Sequence, residues 1–122
     1  MNGDLIDTNV IIRVLNGDQQ AVELFDSLES IQISAITVGE LMYGAYKSSK
    51  TQDNIKLFDE FLSEYTIIGI DENVSRIYGK TKAELVLKGV NIPENEIWIA
   101  ATANHNNLRI ISYDEHFSCF SE

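Results

Sequence analysis

Apolar residues recur along this chain in two rhythms. Short, nearly continuous apolar runs occur at Gly3–Asp7, Ile31–Ser34, Thr66–Ile70 and Arg109–Ser112. Between them lie longer stretches in which apolar positions return every three or four residues. The first rhythm predicts strands buried on both faces, the second amphipathic helices. A helix is expected from Asn9 to Leu15, stopped at Asn16-Gly17-Asp18. The next runs from Gln20 to Leu28, with Val22, Phe25 and Leu28 at helical spacing. A third passes through Glu40-Leu41-Met42-Tyr43 and frays near Ser48-Ser49. A fourth covers Asn54 to Glu64, with Leu57, Phe58, Phe61 and Leu62 along one side. Asp71-Glu72 opens a long helix to Leu87, halted by Lys88-Gly89. Pro93 opens another through Trp98 to Ala101, because proline is tolerated in a first turn. Asn106-Asn107 ends it, and Asp114 to Phe120 forms a short helical tail. Strands alternating with helices imply right-handed crossovers and a parallel sheet covered on both faces. Ligands of such sheets bind beyond the carboxyl ends of the strands, where the strand order reverses.

Composition narrows the class. A length of 122 residues suits one domain, spanning 1–122, that buries a core without disulfides. No apolar run is long enough to cross a bilayer. Met1-Asn2-Gly3-Asp4 lacks the basic and apolar regions of a secretory signal, and the single Cys119 has no internal partner. The expectation is a cytoplasmic protein without a membrane role. The formal net charge of −10 runs against the attraction of phosphate backbones for lysine and arginine. Acids that hold a cation reverse the local field, and an acidic surface also suits a basic protein partner.

The acids just beyond strands are therefore the candidates. Asp7 ends the first strand, and Asp114 lies two residues past the last. Glu40 lies one to two turns into the helix after the second strand, and Glu96 lies in the first turn of the helix opened by Pro93. Buried carboxylates that converge cannot all stay ionised unaided, and a hard divalent cation resolves the conflict. Each acid also has a local explanation. Asp7 and Asp114 are good helix N-caps, and Thr37-Val38-Gly39-Glu40 has the form of a capping box. Glu94 and Glu96 suit the positive end of a helix dipole.

The motifs around these acids resemble those of PIN domains. Asp7-Thr8-Asn9-Val10-Ile11-Ile12 looks like the opening motif. Ser34 to Leu41 followed by Gly44 resembles the second, Ile92 to Ala103 the third, and Ser112-Tyr113-Asp114-Glu115-His116-Phe117 the fourth. The resemblance spans essentially the whole chain, and its nearest subgroup is the VapC-type toxins of toxin–antitoxin pairs. It implies a three-layer α/β/α sandwich around a central parallel sheet of about five strands. It also implies an endoribonuclease that uses Mg2+ or Mn2+ held by Asp7, Glu40, Glu96 and Asp114, and cuts RNA with a metal-activated water. Thr8, Asn9, Arg13 and Ser112 are implied as residues that orient the carboxylates or contact phosphate, with Lys47 a further candidate contact. The implied partners are a small antitoxin with a basic C-terminal segment and a second copy in a homodimer, within a larger toxin–antitoxin complex.

One position departs from the pattern. The family usually carries aspartate where this chain has Glu96, and the extra methylene carries its oxygens roughly 1.5 Å further out. Glu94 is the alternative ligand, turned by helical spacing toward another face. Several other residues read as structural. His116 and Cys119 are too few for a zinc site. His105 reads as a helix end, Trp98 as core, and Arg76, Lys80, Lys82 and Lys88 as a solvated face. A haloacid dehalogenase-type phosphatase needs an acid where Asn9 stands. A receiver domain needs adjacent acids at the first strand and a lysine after the last. A PIN fold with a damaged site, binding RNA or a partner without cutting, is the non-enzymatic alternative.

Overall fold

A computed structural model describes residues 2–120. Its strands are β1 (Asp4–Ile6), β2 (Ile31–Ser34), β3 (Thr66–Ile68) and β4 (Arg109–Ile111). They are joined by α1 (Thr8–Leu15), α2 (Gln19–Asp26), α3 (Ala35–Lys47), α4 (Thr51–Leu62), α5 (Glu72–Leu87) and α6 (Glu94–Asn106), and a 3-10 helix (Glu115–Phe120) follows β4. All strand pairs are parallel, in the order β3-β2-β1-β4. The chain leaves β1 toward β2 and later returns to the other side of β1, so the order reverses between β1 and β4.

The two faces of the sheet explain the unbroken apolar runs. Ile6 and Ile33 pack on one face with Val10, Ile11, Leu41, Phe58 and Leu62, and Ile111 joins them. Leu5 packs on the other with Ile99, Ala103, Leu108 and Phe117, joined by Ile68 and Ile110. Neighbours in one strand thus serve opposite cores, as the pleat requires. On the second face α5 lies against α6, and Tyr78 stacks on Trp98 with ring centroids 3.7 Å apart. Trp98 is half-buried in that stack, not enclosed in the core as its apolar helix suggested.

The sheet has four strands among the described residues, against about five implied by the resemblance. After β4 the chain bends into the 3-10 helix, which tucks Phe117 under the second core, and among the described residues no further strand pairs with β4. The capping box is also absent. Helix α3 begins directly at the end of β2, where the Ser34 hydroxyl accepts from the Ile36 amide at 3.0 Å. Thr37 lies inside the helix, fully buried, with an unpartnered hydroxyl. Glu40 is therefore free of any capping duty. Helix α4 starts earlier than its apolar spacing suggested, because the Asn54 side chain donates to the Ser48 hydroxyl and draws the preceding turn in.

Entry into β1 depends on Gly3. It has a φ of 138°, and a Cβ there would lie 2.7 Å from the Ser30 carbonyl oxygen. The same residue's carbonyl accepts from the Arg109 amide at 3.0 Å, at the start of the β1–β4 pairing. Gly3→Ala is expected to destabilise the fold by about 1–3 kcal/mol through backbone strain, read as a lower urea midpoint at unchanged slope. An unchanged midpoint would mean that the backbone there relaxes freely.

Candidate metal and nuclease site

The parallel pairing of β1 with β4 brings their carboxyl ends together. It continues one step beyond the strands, where the Asp7 amide donates to the Ile111 carbonyl at 2.9 Å. Asp7 also caps α1, its Oδ1 accepting from the Thr8 amide at 2.9 Å. Its other oxygen accepts from the Ser112 hydroxyl at 2.6 Å. That hydroxyl in turn accepts from the Asp114 amide at 2.9 Å and the Asn9 side-chain amide at 3.2 Å. The Asn9 carbonyl oxygen accepts from the Tyr113 amide at 3.1 Å. Asn9 and Ser112 thus fasten the loop after β4 to the first turn of α1, which fixes Asp114 relative to Asp7. Both ends of the Asn9 amide are committed to this loop, and a carboxamide has no titratable proton to offer a reaction.

Asp7, Thr8, Asn9, Glu40, Pro93, Asn95, Glu96 and Asp114 line one cleft of about 340 Å³. All four acids singled out from the sequence meet there. Glu40 is oriented twice: Thr8 donates to one carboxylate oxygen at 2.6 Å and Asn95 to the other at 3.3 Å. Glu96 is 9% exposed and points into the cleft. Glu94, two residues earlier, faces the opposite way and is held by Lys82 and Tyr78. Arg13 does not line the cleft; its guanidinium lies 4.1 Å over the Tyr113 ring. Lys47 likewise lies over Tyr43, away from the acids. Arg76 pairs with Glu72 on the exposed side of α5, as a solvated face should.

Two residues that contact the acids of the cleft, Asn95 and His116, are not singled out by the sequence. Asn95 sits between the two glutamates of α6, and only its packing reveals that it reaches back to Glu40. His116 was set aside as half of an incomplete zinc pair. The 3-10 helix turns it toward α6, and its Nδ1 lies 3.0 Å from both oxygens of Glu96 and 3.1 Å from Asp114 Oδ1. Cys119 is exposed and takes no part, its thiol donating to the His116 carbonyl instead.

The crowding of acids shows in their protonation. Burial pushes the Glu96 carboxyl up to about 7, and the neighbouring Asp114 adds to the effect. Asp7 is also raised, chiefly by burial, against the lowering influence of Ser112 and the Thr8 amide. Asp114 is lowered, first by its bond with Glu96 and then by the His116 amide. The contact with Glu96 raises His116. Glu96 and Asp114 therefore behave as a pair in which Glu96 keeps the proton.

The donor set fits a divalent cation: four carboxylates converge, burial raises two of them above their ordinary values, and no lysine or arginine lines the cleft. The fold and cleft define the class as a parallel α/β protein with an acid-lined cleft at its strand-order reversal. Comparison with known proteins identifies the member of that class. The PIN domain profile matches residues 5–121, and the chain belongs to the PIN domain family. It is similar to Ribonuclease VapC2 of Haemophilus influenzae, with 36% identity over 112 residues covering 88% of this chain and 83% of that protein. Ribonuclease VapC2 of Rickettsia felis is 32% identical over 112 residues, covering 88% and 84%. Among solved structures, VapBC2 from Rickettsia felis bound to a promoter DNA fragment superposes with a TM-score of 0.84. It has 30% identity and covers 96% of this chain and 92% of the other. FitAcB from Neisseria gonorrhoeae gives 0.82 at 30% identity, covering 91% and 87%.

A pH dependence follows from the raised acids. Glu96 binds its proton more tightly folded than unfolded, so its contribution is complete below about 4.5 and is lost as pH rises through about 7. Asp7 and His116 are raised and act in the same direction. The melting temperature of the metal-free protein should therefore fall between pH 5 and pH 8, and Glu96→Gln should flatten that slope. A slope unchanged by the substitution would place the titrating group elsewhere.

Proposed function

We propose that this chain is the toxin of a toxin–antitoxin pair, a VapC-type endoribonuclease that hydrolyses RNA phosphodiester bonds with Mg2+ or Mn2+. The observation that carries the reading is the cleft itself. Asp7, Glu40, Glu96 and Asp114 line it without any lysine or arginine, so a phosphodiester can approach only where cations offset the acids. The names of the relatives support the reaction, since those in Haemophilus influenzae and Rickettsia felis are ribonucleases and one in Salmonella typhimurium is a tRNA(fMet)-specific endonuclease.

Asp7, Glu96 and Asp114 would hold the principal cation. Glu40, steadied by Thr8 and Asn95, would hold it through water or take a second ion. A divalent ion so bound supplies an acidified water and a countercharge for the phosphoryl oxygens. The chain's own residues prepare the rest. Ser112 and Asn9 keep Asp7 and Asp114 in register, and the hydrogen bond that Ser112 donates to Asp7 opposes the rise that burial causes. Glu96 must give up its proton before it ligates, so cation affinity rises as pH passes through about 7.

Solved neighbours of this chain include a toxin–antitoxin complex from Klebsiella pneumoniae, which supports a small antitoxin as its partner. A basic C-terminal segment of that partner matches the acidic cleft and the net charge of −10. The same reading makes the protein a homodimer within a larger toxin–antitoxin complex, acting in the cytoplasm. No helix among the described residues is long and apolar enough to cross a membrane.

The direct test is cleavage of a mixed RNA pool with Mn2+, with and without chelator. Cutting should stop with chelator and return with added metal; cutting that survives chelation would remove the metal-nuclease reading. Asp7→Asn should lower the rate by more than the roughly 10–100-fold expected for losing a supporting residue, and Ser112→Ala should fall within that range. In calorimetric Mn2+ titrations, Glu96→Gln should lose more affinity than Glu94→Gln. The reverse order would move the ligand to Glu94.

A further inference from the structure

We propose that His116 is a nitrogen ligand of the cation held by Glu96 and Asp114, and that it biases the site toward a transition-metal dication over Mg2+. This rests on the metal-nuclease reading above and assigns a donor outside the four acids. One donor atom each from Glu96, Asp114 and His116 lie within 4.8 Å of one another. The imidazole Nδ1 stands 3.0 Å from both Glu96 oxygens and 3.1 Å from Asp114 Oδ1. Neighbouring donors around an octahedral ion with bonds of about 2.0–2.1 Å are separated by about 2.9 Å. The imidazole Nδ1 already has that spacing from both carboxylates, and in the tautomer with the proton on Nε2 it presents a lone pair to an ion between them.

The position of the ring is built into the backbone. Asp114 Oδ1 accepts from the His116 amide at 2.9 Å, which starts the 3-10 turn. Phe117, buried in the second core beside Leu5, Ile99 and Leu108, anchors the next residue. Together they set His116 against the first turn of α6, where Glu96 stands. Mg2+ prefers oxygen donors and parts reluctantly with its waters, whereas imidazole favours d-block dications.

The test uses the full chain, stripped by chelator and titrated with Mn2+ under electron spin-echo detection. Histidine-derived 14N coupling is expected, replaced by 15N coupling when the protein is labelled with 15N-histidine. His116→Gln should abolish it. His105, the other histidine, lies at the far end of α6 near Asp71 and should not contribute. In parallel titrations the preference for Mn2+ over Mg2+ should fall about tenfold or more in His116→Gln, with circular dichroism checking that the variant folds. Should that variant not fold, the isotope exchange in the unaltered chain still decides the assignment. Tight Mn2+ binding without imidazole coupling overturns the role of His116 and leaves the four-acid site standing. No Mn2+ binding at all overturns both.

Discussion

The hydrogen-bonded pairing of β1 with β4 is the constraint on which the functional end of this molecule rests. The two strands lie more than a hundred residues apart in sequence, yet their registered pairs Asp4 with Arg109, Leu5 with Ile110 and Ile6 with Ile111 bring both carboxyl ends to one point. The Asp7 amide extends the pairing to the Ile111 carbonyl, and the Ser112 hydroxyl closes the gap by donating to Asp7. Everything beyond that point follows from where these two ends stop. Helix α1 begins there, and the loop carrying Asp114 turns there into the 3-10 helix.

Gathering acids at such a point is electrostatically unfavourable, and the structure shows how the strain is distributed. Glu96 holds a proton up to about 7, Asp114 remains ionised beside it, and His116 stands between them. Asp7 is raised by burial but steadied by two hydrogen bonds. Glu40, further out, is fixed by Thr8 and Asn95. A cleft so arranged is primed for a divalent ion, because the ion relieves the repulsion that folding creates. The acidic character of the whole chain then agrees with the site, since a cleft of carboxylates attracts cations and basic segments and admits phosphate only behind them.

Helix cap and cleft-lining acid turn out not to be exclusive roles. Asp7 caps α1, and Asp114 accepts the amide that starts the 3-10 helix, while both face the cleft. One carboxylate oxygen is given to the backbone and the group still reaches the centre, so the local role aims the residue. Glu40 is the exception. Its apparent capping motif is idle because Ser34 caps α3 instead, and its orientation comes from two residues distant in sequence.

Hydropathy rhythm and short motifs were enough to place every helix and strand within a few residues, to name the parallel α/β arrangement, and to pick out Asp7 and Asp114 by their positions beyond strand ends and Glu40 and Glu96 by the motifs around them. Those features are local: a strand run, a proline at a first turn or an acid after an apolar stretch needs only its neighbours to be read. Tertiary structure alone decided which side of a helix meets which partner. Glu94 and Glu96 both lie in the first turn of α6, and only the packing of α6 between the sheet and α5 sends Glu94 to Lys82 and Glu96 to the cleft. His116 joined the site, and Arg13 stayed out of it, for the same reason. Helical periodicity sets the angle between two side chains, but the absolute direction of either comes from long-range burial that no short window of sequence contains.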